Sequence, residues 1–475
     1  MELCISFQVW MQPFAVVFSP ACFQLWSTLM TGWVLSPRTR FISDMIVSSD
    51  ATRRGAWARY YRFLSRYKWS LDRVFRQLLS LIISRFFPGD ALITLAVDDT
   101  LFRKRGLGLF GVGMHHDPLI SSKGKKLTSW GHNWVVISVV VGGLPWAPGV
   151  VWSLPVGFRL YVNQQGVTKG KKKNAEKKTA KKQTGKKQNT RGQGKKKPAS
   201  GKPAGHQTRP ELAVEMLQLI AGWFPGRTFV VTGDSLYGGK SVVQHLPANM
   251  QLISRAPLDV ALYAPAPRPA TKKPVGRPRK KGDRLPSIDQ WADDRRPWTN
   301  YQFDQYGLHM TLRWKHQDAL YYTAGKSRVM RIILVEDLSG GRGRQVFFCT
   351  TIQYGVPFIL RTYAGRWSIE VCFENCKQLL GIADPAVRKQ RSVRRTAPLA
   401  GVLYSLIVLW FDEIGHLSVR FPDRPWYRHK RTPSFGDMLT TLRRLSWEEK
   451  ARVAAREGTL KNVLPQLTYF LSLAG

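Results

Sequence analysis

The chain has 475 residues and a formal net charge of +42, from 73 Lys and Arg against 31 Asp and Glu. Its hydrophobic content of 44%, with 17 Trp and 23 Phe, excludes a largely disordered chain and predicts a sizeable buried core. So large a positive charge indicates a polyanionic partner, because the release of counterions from nucleic acid drives binding. An anionic membrane surface is the alternative partner.

Cysteine usage and the apolar segments bear on the compartment. The five cysteines include no CxxC pair, which disfavours a zinc ribbon and a disulfide framework and fits a reducing cytosol. The first 37 residues contain no Lys or Arg, so the positively charged start of a signal peptide is missing. Gly and Pro break the apolar stretch at 135–152 into strand-length pieces. We therefore expect a cytoplasmic protein without a membrane partner.

The first part of the chain predicts helices followed by a strand. Residues 1–90 show apolar spacing of three or four residues, in segments such as Phe23–Val34 and Arg59–Phe86. This helical region is either a DNA-binding module or a capping bundle. The apolar run Ala91–Val97 then predicts a buried strand that ends at Asp98.

The composition changes between residues 161 and 208. From Lys169 to Lys202 there are 14 Lys and one Arg against a single acid, which supplies about a third of the net charge. Such a stretch cannot bury a core, so we predict a disordered insertion within one domain. Its role is either that of a solubilising spacer or that of a tether for DNA.

Regular elements resume after the insertion. The spacing of Pro210–Trp223 predicts a helix, with Pro at the first helical position. The apolar run Thr228–Thr232 predicts a buried strand, and Gly233 and Asp234 follow it directly. Met250–Ser254 predicts the next strand.

A second basic loop, at 264–288, contains the sequence GRPRKKG at 276–282. An extended Gly-Arg-Pro between basic residues can lie in the minor groove of A·T-rich DNA, where the negative potential attracts arginine. Arg277 and Arg279 are therefore candidate DNA-binding residues. An ordinary basic loop is the alternative interpretation.

The last third of the chain predicts a strand-rich block and then helices. Four β-like runs form the block: Met310–Trp314, Leu320–Thr323, Val329–Val335 and Val346–Thr350. Residues 396–475 are predicted to be helical, with Pro433–Arg444 and Ser446–Val453 as separate segments.

A regular set of polar side chains follows the strand-rich block. Tyr363, Arg366, Glu370 and Lys377 lie at offsets of 0, 3, 7 and 14 residues. At about 100° per residue, a single helix would bring all four within roughly 60° of one another. A lone carboxylate among cations suits a metal-dependent reaction on a polyanion. A solvated helix face with incidental ion pairs is the alternative.

Three carboxylates occur in the order strand, strand, helix: Asp98, Asp234 and Glu370. Hard divalent cations take oxygen ligands. A pair of such ions can activate a water and stabilise the leaving oxygen of a phosphodiester. Two neighbouring acids remain alternatives, Asp99 in place of Asp98 and Glu374 in place of Glu370.

Three segments together resemble a known family. They are strand–Asp98-Asp99-Thr100, strand–Gly233-Asp234-Ser-Leu-Tyr237-Gly238, and Tyr363-x2-Arg366-x3-Glu370-x6-Lys377. These motifs resemble the DDE transposases of bacterial insertion sequences, in the group that carries the YREK signature. The resemblance covers about residues 90–400 and implies an α/β fold. Its catalytic core would be RNase H-like, a mixed sheet with flanking helices, with a strand-rich insertion before the last catalytic helix.

On this basis the chain divides into a helical N-terminal region at 1–90, a catalytic domain at 91–400 and a helical C-terminal region at 401–475. The catalytic domain would be interrupted twice. The first interruption is the Lys-rich insertion at 161–208, and the second, at 258–351, combines the basic loop with the strand-rich block.

The resemblance also implies roles for the site residues. Asp98, Asp234 and Glu370 would ligate two Mg²⁺ ions, for which Mn²⁺ could substitute. Tyr363, Arg366 and Lys377 would position the DNA backbone, the two cations by binding phosphate oxygens. The YREK spacing selects Glu370 over Glu374.

The implied activity is that of a DNA transposase. It would bind the terminal inverted repeats of an insertion sequence and catalyse metal-dependent cleavage and strand transfer, by cut-and-paste excision. Its partners would be transposon-end and target DNA, with a homodimer pairing the two ends in a bacterial cytoplasm, at the nucleoid when bound to DNA. Two alternatives remain: a transposase-derived non-catalytic DNA-binding protein, and an RNase H-like metal nuclease without strand transfer.

Overall fold

In the computed structural model, most of the chain is described. The described residues are 2–54, 56–122, 124–163, 206–267, 279–305, 308–339, 343–422, 425, 429–461, 463–465, 467 and 468.

Helices occur before, between and after the strands of the sheet along the chain. In the described residues these α-helices are α1 Ile5–Met11, α2 Pro20–Leu35, α3 Ile42–Ser48, α4 Ala58–Ser65, α5 Leu71–Phe86, α6 Arg209–Trp223, α7 Lys240–Val243, α8 Ile288–Ala292, α9 Tyr322–Gly325, α10 Val356–Gly365, α11 Ser368–Gln378, α12 Gln390–Glu413 and α13 Phe435–Arg456. The helix predicted at Pro210–Trp223 is confirmed as α6. The run Arg59–Phe86 is two helices, because the side chain of Ser70 accepts a hydrogen bond from the Arg73 amide and begins α5 there.

One mixed sheet contains ten strands. They are β1 Ile93–Arg103, β2 Gly113–His116, β3 Thr128–Val141, β4 Trp152–Tyr161, β5 Phe229–Gly233, β6 Met250–Ala256, β7 Thr299–Gln305, β8 Leu308–Leu320, β9 Val329–Asp337 and β10 Arg344–Cys349. Their order is β2-β3-β1-β5-β6-β10-β9-β8-β7, and β4 also pairs with β3.

The centre of the sheet combines parallel and antiparallel strands. β1, β5 and β6 are parallel, whereas β3 is antiparallel to β1 and to β4. Along β5, Phe229 and Val231 belong to one apolar core and Val230 belongs to another, so the sheet has packed residues on both faces. The predicted fold class, a mixed sheet with flanking helices of the RNase H-like type, is confirmed.

The strand-rich block extends this sheet beyond β6. β10 pairs with β6, and β9, β8 and β7 follow as antiparallel neighbours. The strand predicted at Leu320–Thr323 is wrong, since Leu320 ends β8 and the chain then turns into the short helix α9. The block is therefore continuous with the central sheet through backbone hydrogen bonds.

Helix α12 occupies the middle of the helical layer. The ring of Phe7 in α1 lies 6.0 Å from that of Trp410 in α12. The guanidinium of Arg395 donates to four carbonyls at the end of α4 and in the segment after it, those of Phe63, Leu64, Tyr67 and Trp69. The N-terminal helices thus share a core with α12, and the boundary predicted at residue 400 falls inside this helix.

Two further observations concern the C-terminal helices. In the part of the chain that the structure describes, α12 is the one helix long and apolar enough to cross a membrane, but 89% of that stretch is buried inside the protein. The separate segments predicted at Pro433–Arg444 and Ser446–Val453 are a single helix, α13, capped by Ser434.

Of the Lys-rich insertion predicted at 161–208, residues 164–205 lie outside the described residues. Its two flanks are regular. Tyr161 is the last residue of β4, and the Thr208 amide donates to the Glu211 carboxylate at 2.8 Å where α6 begins.

Candidate active site

Asp98 and Asp234 follow the last residue pair of two parallel strands. In the β1–β5 register the final partners are Val97 and Gly233, so the next residue on each strand is an acid. β1 itself does not end at Asp98, as the apolar run had predicted. It continues to Arg103 because β3 still pairs with it there.

The Asp98 carboxylate is buried beside a guanidinium. Its Oδ2 lies 2.5 Å from Nη1 of Arg366, and its Oδ1 accepts a hydrogen bond from the Asp99 amide at 2.8 Å. Burial raises the pKa of Asp98 to about 7, against the lowering effect of Arg366, and the charge of Asp234 raises it further. The carboxylates of Asp98 and Asp234 are therefore close enough to repel each other.

Arg366 connects Asp98 to Glu370. Its Nη2 donates to Oε1 of Glu370 at 2.9 Å, and its side chain is only 13% exposed. Although burial would lower it, the charges of Asp98, Tyr363 and Glu370 raise the pKa of Arg366 above its usual value. The Nε of Arg366 is buried and has no hydrogen-bond partner. One guanidinium thus holds two of the three predicted acids and keeps a free donor.

The single helix predicted to carry Tyr363 to Lys377 is wrong. α10 ends at Gly365 and α11 begins at Ser368, because the Arg366 and Trp367 amides donate to carbonyls three residues earlier, at 3.0 and 3.2 Å. Such 3₁₀-type bonds tighten the turn and change the helix face. The ring of Tyr363 packs on Phe347, at 4.8 Å between ring centroids, and lies 5.8 Å from the guanidinium of Arg366.

Lys377 lies further along β1 from the acids. Its Nζ is 5.7 Å from the ring of Phe102, four residues after Asp98, and burial lowers the pKa of Lys377. Glu370 and Lys377 are therefore spread along β1, since α11 follows the strand in the same direction.

Asp99 has its own set of partners. Its carboxylate accepts from Asn133 Nδ2 at 2.9 Å, Arg209 Nη1 at 2.7 Å and the Tyr237 hydroxyl at 3.3 Å. Successive strand residues point to opposite faces of a sheet, so Asp99 points away from Arg366. This occupied carboxylate favours Asp98 as the acid that faces the catalytic side.

Tyr237 ties the loop that carries Asp234 to β1. Its amide donates to the Asp234 carbonyl at 3.1 Å, and its hydroxyl reaches Asp99. Burial, and then the charge of Asp99, raise the pKa of Tyr237 well above its usual value, so the hydroxyl remains a donor. A β-carbon at Gly233 would lie 2.8 Å from the Tyr237 Cβ, which explains glycine before the acid.

These partners of Asp99 had no predicted role. Tyr237 had a local signal, since it stands three residues after Asp234 in the motif. Arg209 and Asn133 had none, because both reach Asp99 from distant parts of the sequence.

The donor set can be compared with what a metal ion needs. Among the described residues, no group of three or more His, Cys, Asp or Glu side chains is arranged to hold a metal. The guanidinium of Arg366 lies between Asp98 and Glu370 instead. Even so, all the donors are carboxylate oxygens, which suit hard divalent cations, and Asp234 lies close enough to Asp98 for its charge to raise the pKa of Asp98. The donors fit such a cation if Arg366 moves away.

The remaining candidates lie outside this cluster or beyond the described residues. Glu374 is exposed and accepts from Gln378 at 3.0 Å. Arg279 is 75% exposed and lies 3.9 Å from Asp283. Arg277 lies outside the described residues, so the minor-groove role of the two arginines remains a prediction.

The sequence was compared with known proteins. A family described as DDE superfamily endonuclease matches residues 28–323, more than half of the chain. No curated protein matches the chain. The matched range includes Asp98 and Asp234 and ends before Tyr363, so membership of the YREK group remains a prediction. The family implies a nuclease whose substrate is DNA. The resemblance to DDE-type transposases is confirmed at this level, and the chain belongs to the DDE superfamily of endonucleases.

Proposed function

We propose that the protein is a transposase of a bacterial insertion sequence, of the YREK group, that binds terminal inverted repeats, cleaves DNA and joins it to a target. The observation that carries the proposal is the bridge formed by Arg366 between Asp98 and Glu370, next to Asp234. Residues from three distant motifs thereby meet at one place. Asp98 and Asp234 also directly follow the last paired residues of the parallel strands β1 and β5. This position leaves both charged groups just beyond the paired segment.

Asp98, Asp234 and Glu370 would hold the divalent cations, two Mg²⁺ or Mn²⁺ ions. When bound, such ions lower the pKa of water and stabilise the leaving oxygen of a phosphodiester. The carboxyl group of Asp98 must give up its proton before it can act as a ligand, and its pKa of about 7 makes this sensitive to pH near neutrality.

Arg366 would exchange partners when DNA binds. Its planar fork suits phosphate oxygens as well as carboxylates, and its unpaired Nε offers a further donor. We infer that the guanidinium holds the acids in the unbound enzyme and turns to the DNA backbone once cations balance their charge. Tyr363 and Lys377 would contact the backbone on either side.

The partners follow from this activity. A homodimer would pair the two ends of the element, because each end needs one set of acids. The strongly basic chain would work in the bacterial cytoplasm, at the nucleoid when DNA is bound. The Lys-rich insertion, Arg277 and Arg279 would help to tether the DNA.

The test is cleavage and joining of end-containing DNA by the purified protein in Mg²⁺ or Mn²⁺. Asp98→Asn, Asp234→Asn and Glu370→Gln are expected to abolish cleavage, whereas Glu374→Gln, the matched control on the same helix, should cleave at the wild-type rate. Arg366→Lys keeps the charge but not the planar fork, so slower cleavage is expected.

Three outcomes would contradict parts of the proposal. Wild-type cleavage by all three acid variants would remove the metal site. Cleavage without any joined product would favour a nuclease that lacks strand transfer. Specific DNA binding without cleavage in either metal would favour a non-catalytic DNA-binding protein.

A further inference from the structure

Apart from the Lys-rich insertion and the basic loop, a further basic surface lies at the beginning of α12. We propose that this surface, the α12 basic patch, binds the backbone of the DNA duplex that flanks the cleaved phosphodiester. Its members are Arg105, Arg388, Lys389, Arg391 and Arg394. The inference rests on the proposed function insofar as it takes DNA as the substrate.

The cations of the patch are exposed. Four of them fall within the seven residues 388–394, and all five are exposed to solvent. Within the described residues none of the five forms a salt bridge, although Arg391 donates to the Arg66 carbonyl at 3.0 Å and Arg394 lies over the Phe110 ring at 5.5 Å. Asp72 and Glu215 line the same cavity as Arg391 and Arg394, but both are paired with Arg159, at 3.0 and 2.8 Å. Asp384 lines the cleft of Arg105 and Arg388 and accepts a hydrogen bond from the Arg40 amide. Most of the patch charge is therefore uncompensated.

The position of these charges is unfavourable for the helix itself. The N-terminus of a helix carries a partial positive charge and favours acids. Asp72, Glu211 and Asp437 stand in the first turns of α5, α6 and α13, whereas the first turn of α12 contains no acid. Cations that oppose the helix dipole do not stabilise the fold, so a polyanion outside the chain is the partner that explains them.

Two neighbouring cations are excluded from the patch because they have partners in the fold. Arg103 pairs with Asp117 at 2.6 Å. Lys104 donates to the carbonyls of Ala383 and Pro385. Both line a cleft of about 520 Å³ together with Arg105, Arg388 and Asp384.

The patch lies on a line that starts at the acids. From Asp98 the line passes Lys377 beside Phe102, reaches Arg103, and enters the cleft that contains Arg388. Arg103 is five residues beyond Asp98, about 17 Å at 3.3 Å per strand residue. That length is about five base pairs at 3.4 Å each. A duplex held at the acids would therefore reach the cleft beside the patch about five base pairs away.

The experiment compares two variants of the full chain that remove the same charge. The patch variant combines Arg388→Gln, Lys389→Gln, Arg391→Gln and Arg394→Gln. The control variant combines Arg420→Gln, Arg452→Gln, Arg456→Gln and Lys461→Gln, four exposed cations on and around α13. Binding to an end-containing duplex is measured by fluorescence anisotropy in EDTA over a series of salt concentrations.

The expected result is a change in salt dependence. Each phosphate contact adds about 0.9 to the slope of log K against log salt, so losing four contacts should lower that slope by about 3.6 in the patch variant. The control variant should keep the wild-type slope. The duplex is then shortened, on one side of the cut at a time, to two base pairs beyond the cut. On the side that faces the patch, this should give wild type and patch variant the same salt slope, because the DNA no longer reaches the patch.

Equal slopes for the patch and control variants would overturn the proposal, and so would a patch effect that survives shortening on either side. The melting temperature of the patch variant should change little, because the gain from removing cations at a helix N-terminus offsets the lost contacts of Arg391 and Arg394. All binding is measured without divalent metal. A protein that fails to cleave would therefore contradict the proposed function while the salt slope still decides the patch.

Discussion

Two neighbouring carboxylates on β1 meet opposite surroundings. On one face of the strand, Asp98 has a single cationic partner, Arg366, and burial together with Asp234 raises the pKa of Asp98 to about 7. On the other face, Asp99 accepts hydrogen bonds from three side chains of distant segments. The Asp99 face is built to stay fixed. On the Asp98 face, a change of partner would relieve the repulsion between Asp98 and Asp234. The fixed Asp99 face supports this changeable Asp98 face.

Replacing each acid by its amide should separate the two faces most strongly. Asp98→Asn is expected to reduce cleavage about 10³-fold or more, because metal ligation contributes several kcal/mol to the transition state. Its free energy of unfolding should be unchanged or higher, since a repelled buried carboxylate is removed. Asp99→Asn should lower the free energy of unfolding by about 1–3 kcal/mol and cleavage by only about 10–100-fold. Urea denaturation and DNA cleavage are measured on both variants.

Equal effects of the two substitutions on cleavage and stability would remove the distinction between the two faces. If Asp98→Asn and Asp99→Asn lost the same activity and the same stability, the two carboxylates would have a common role.

Tyr237→Phe tests whether the fixed face positions the other. The substitution removes one hydroxyl, so a loss of about 1 kcal/mol in stability is expected. A positioning role predicts in addition a roughly 10-fold rise in the Mg²⁺ concentration for half-maximal cleavage. Tyr60→Phe is the matched control, a buried tyrosine in α4. It should leave the metal dependence unchanged, and a shared change would contradict the role of Tyr237.

A further expected effect is a pH slope of stability in the absence of metal. The pKa of Asp98 is raised in the folded state from an ordinary value near 4 to about 7. Between these values the folded chain therefore binds more protons than the unfolded chain, and stability falls as pH rises. The free energy of unfolding of wild type relative to Asp98→Asn should decline by up to about 1.4 kcal/mol per pH unit and level off above pH 7. A difference that is flat or rises with pH would contradict the raised pKa.

The strands around the acids were accessible from the sequence because their signal is local. The runs Ala91–Val97, Thr228–Thr232 and Met250–Ser254 are apolar and end near polar residues, and each corresponds to a strand of the sheet. The last residues before Asp98 and Asp234 are partners in the register. Convergence of the two acids follows from parallel pairing at that point.

The features that the sequence could not predict depend on contacts between distant segments. β1 continues past Asp98 only because β3 pairs with it there. The break between α10 and α11 leaves no mark in the apolar spacing, and it is accompanied by a hydrogen bond between Ser368 and Ser153 of β4 at 2.6 Å. The salt bridge of Arg209 with Asp99 joins residues 110 positions apart.

The flanks of the Lys-rich insertion also bear on how such a chain can vary. The ring of Tyr161, the last residue of β4, contacts the ring of His206 at 5.8 Å and the guanidinium of Arg209 at 5.7 Å. The residues that flank 164–205 on its two sides thus lie close together in the folded part of the chain. Closing a longer loop adds only about 0.6 kcal/mol for each doubling of its length. Evolution, or an engineer, can lengthen, shorten or replace the segment at this junction at little thermodynamic cost, next to Asp99, the carboxylate that adjoins Asp98.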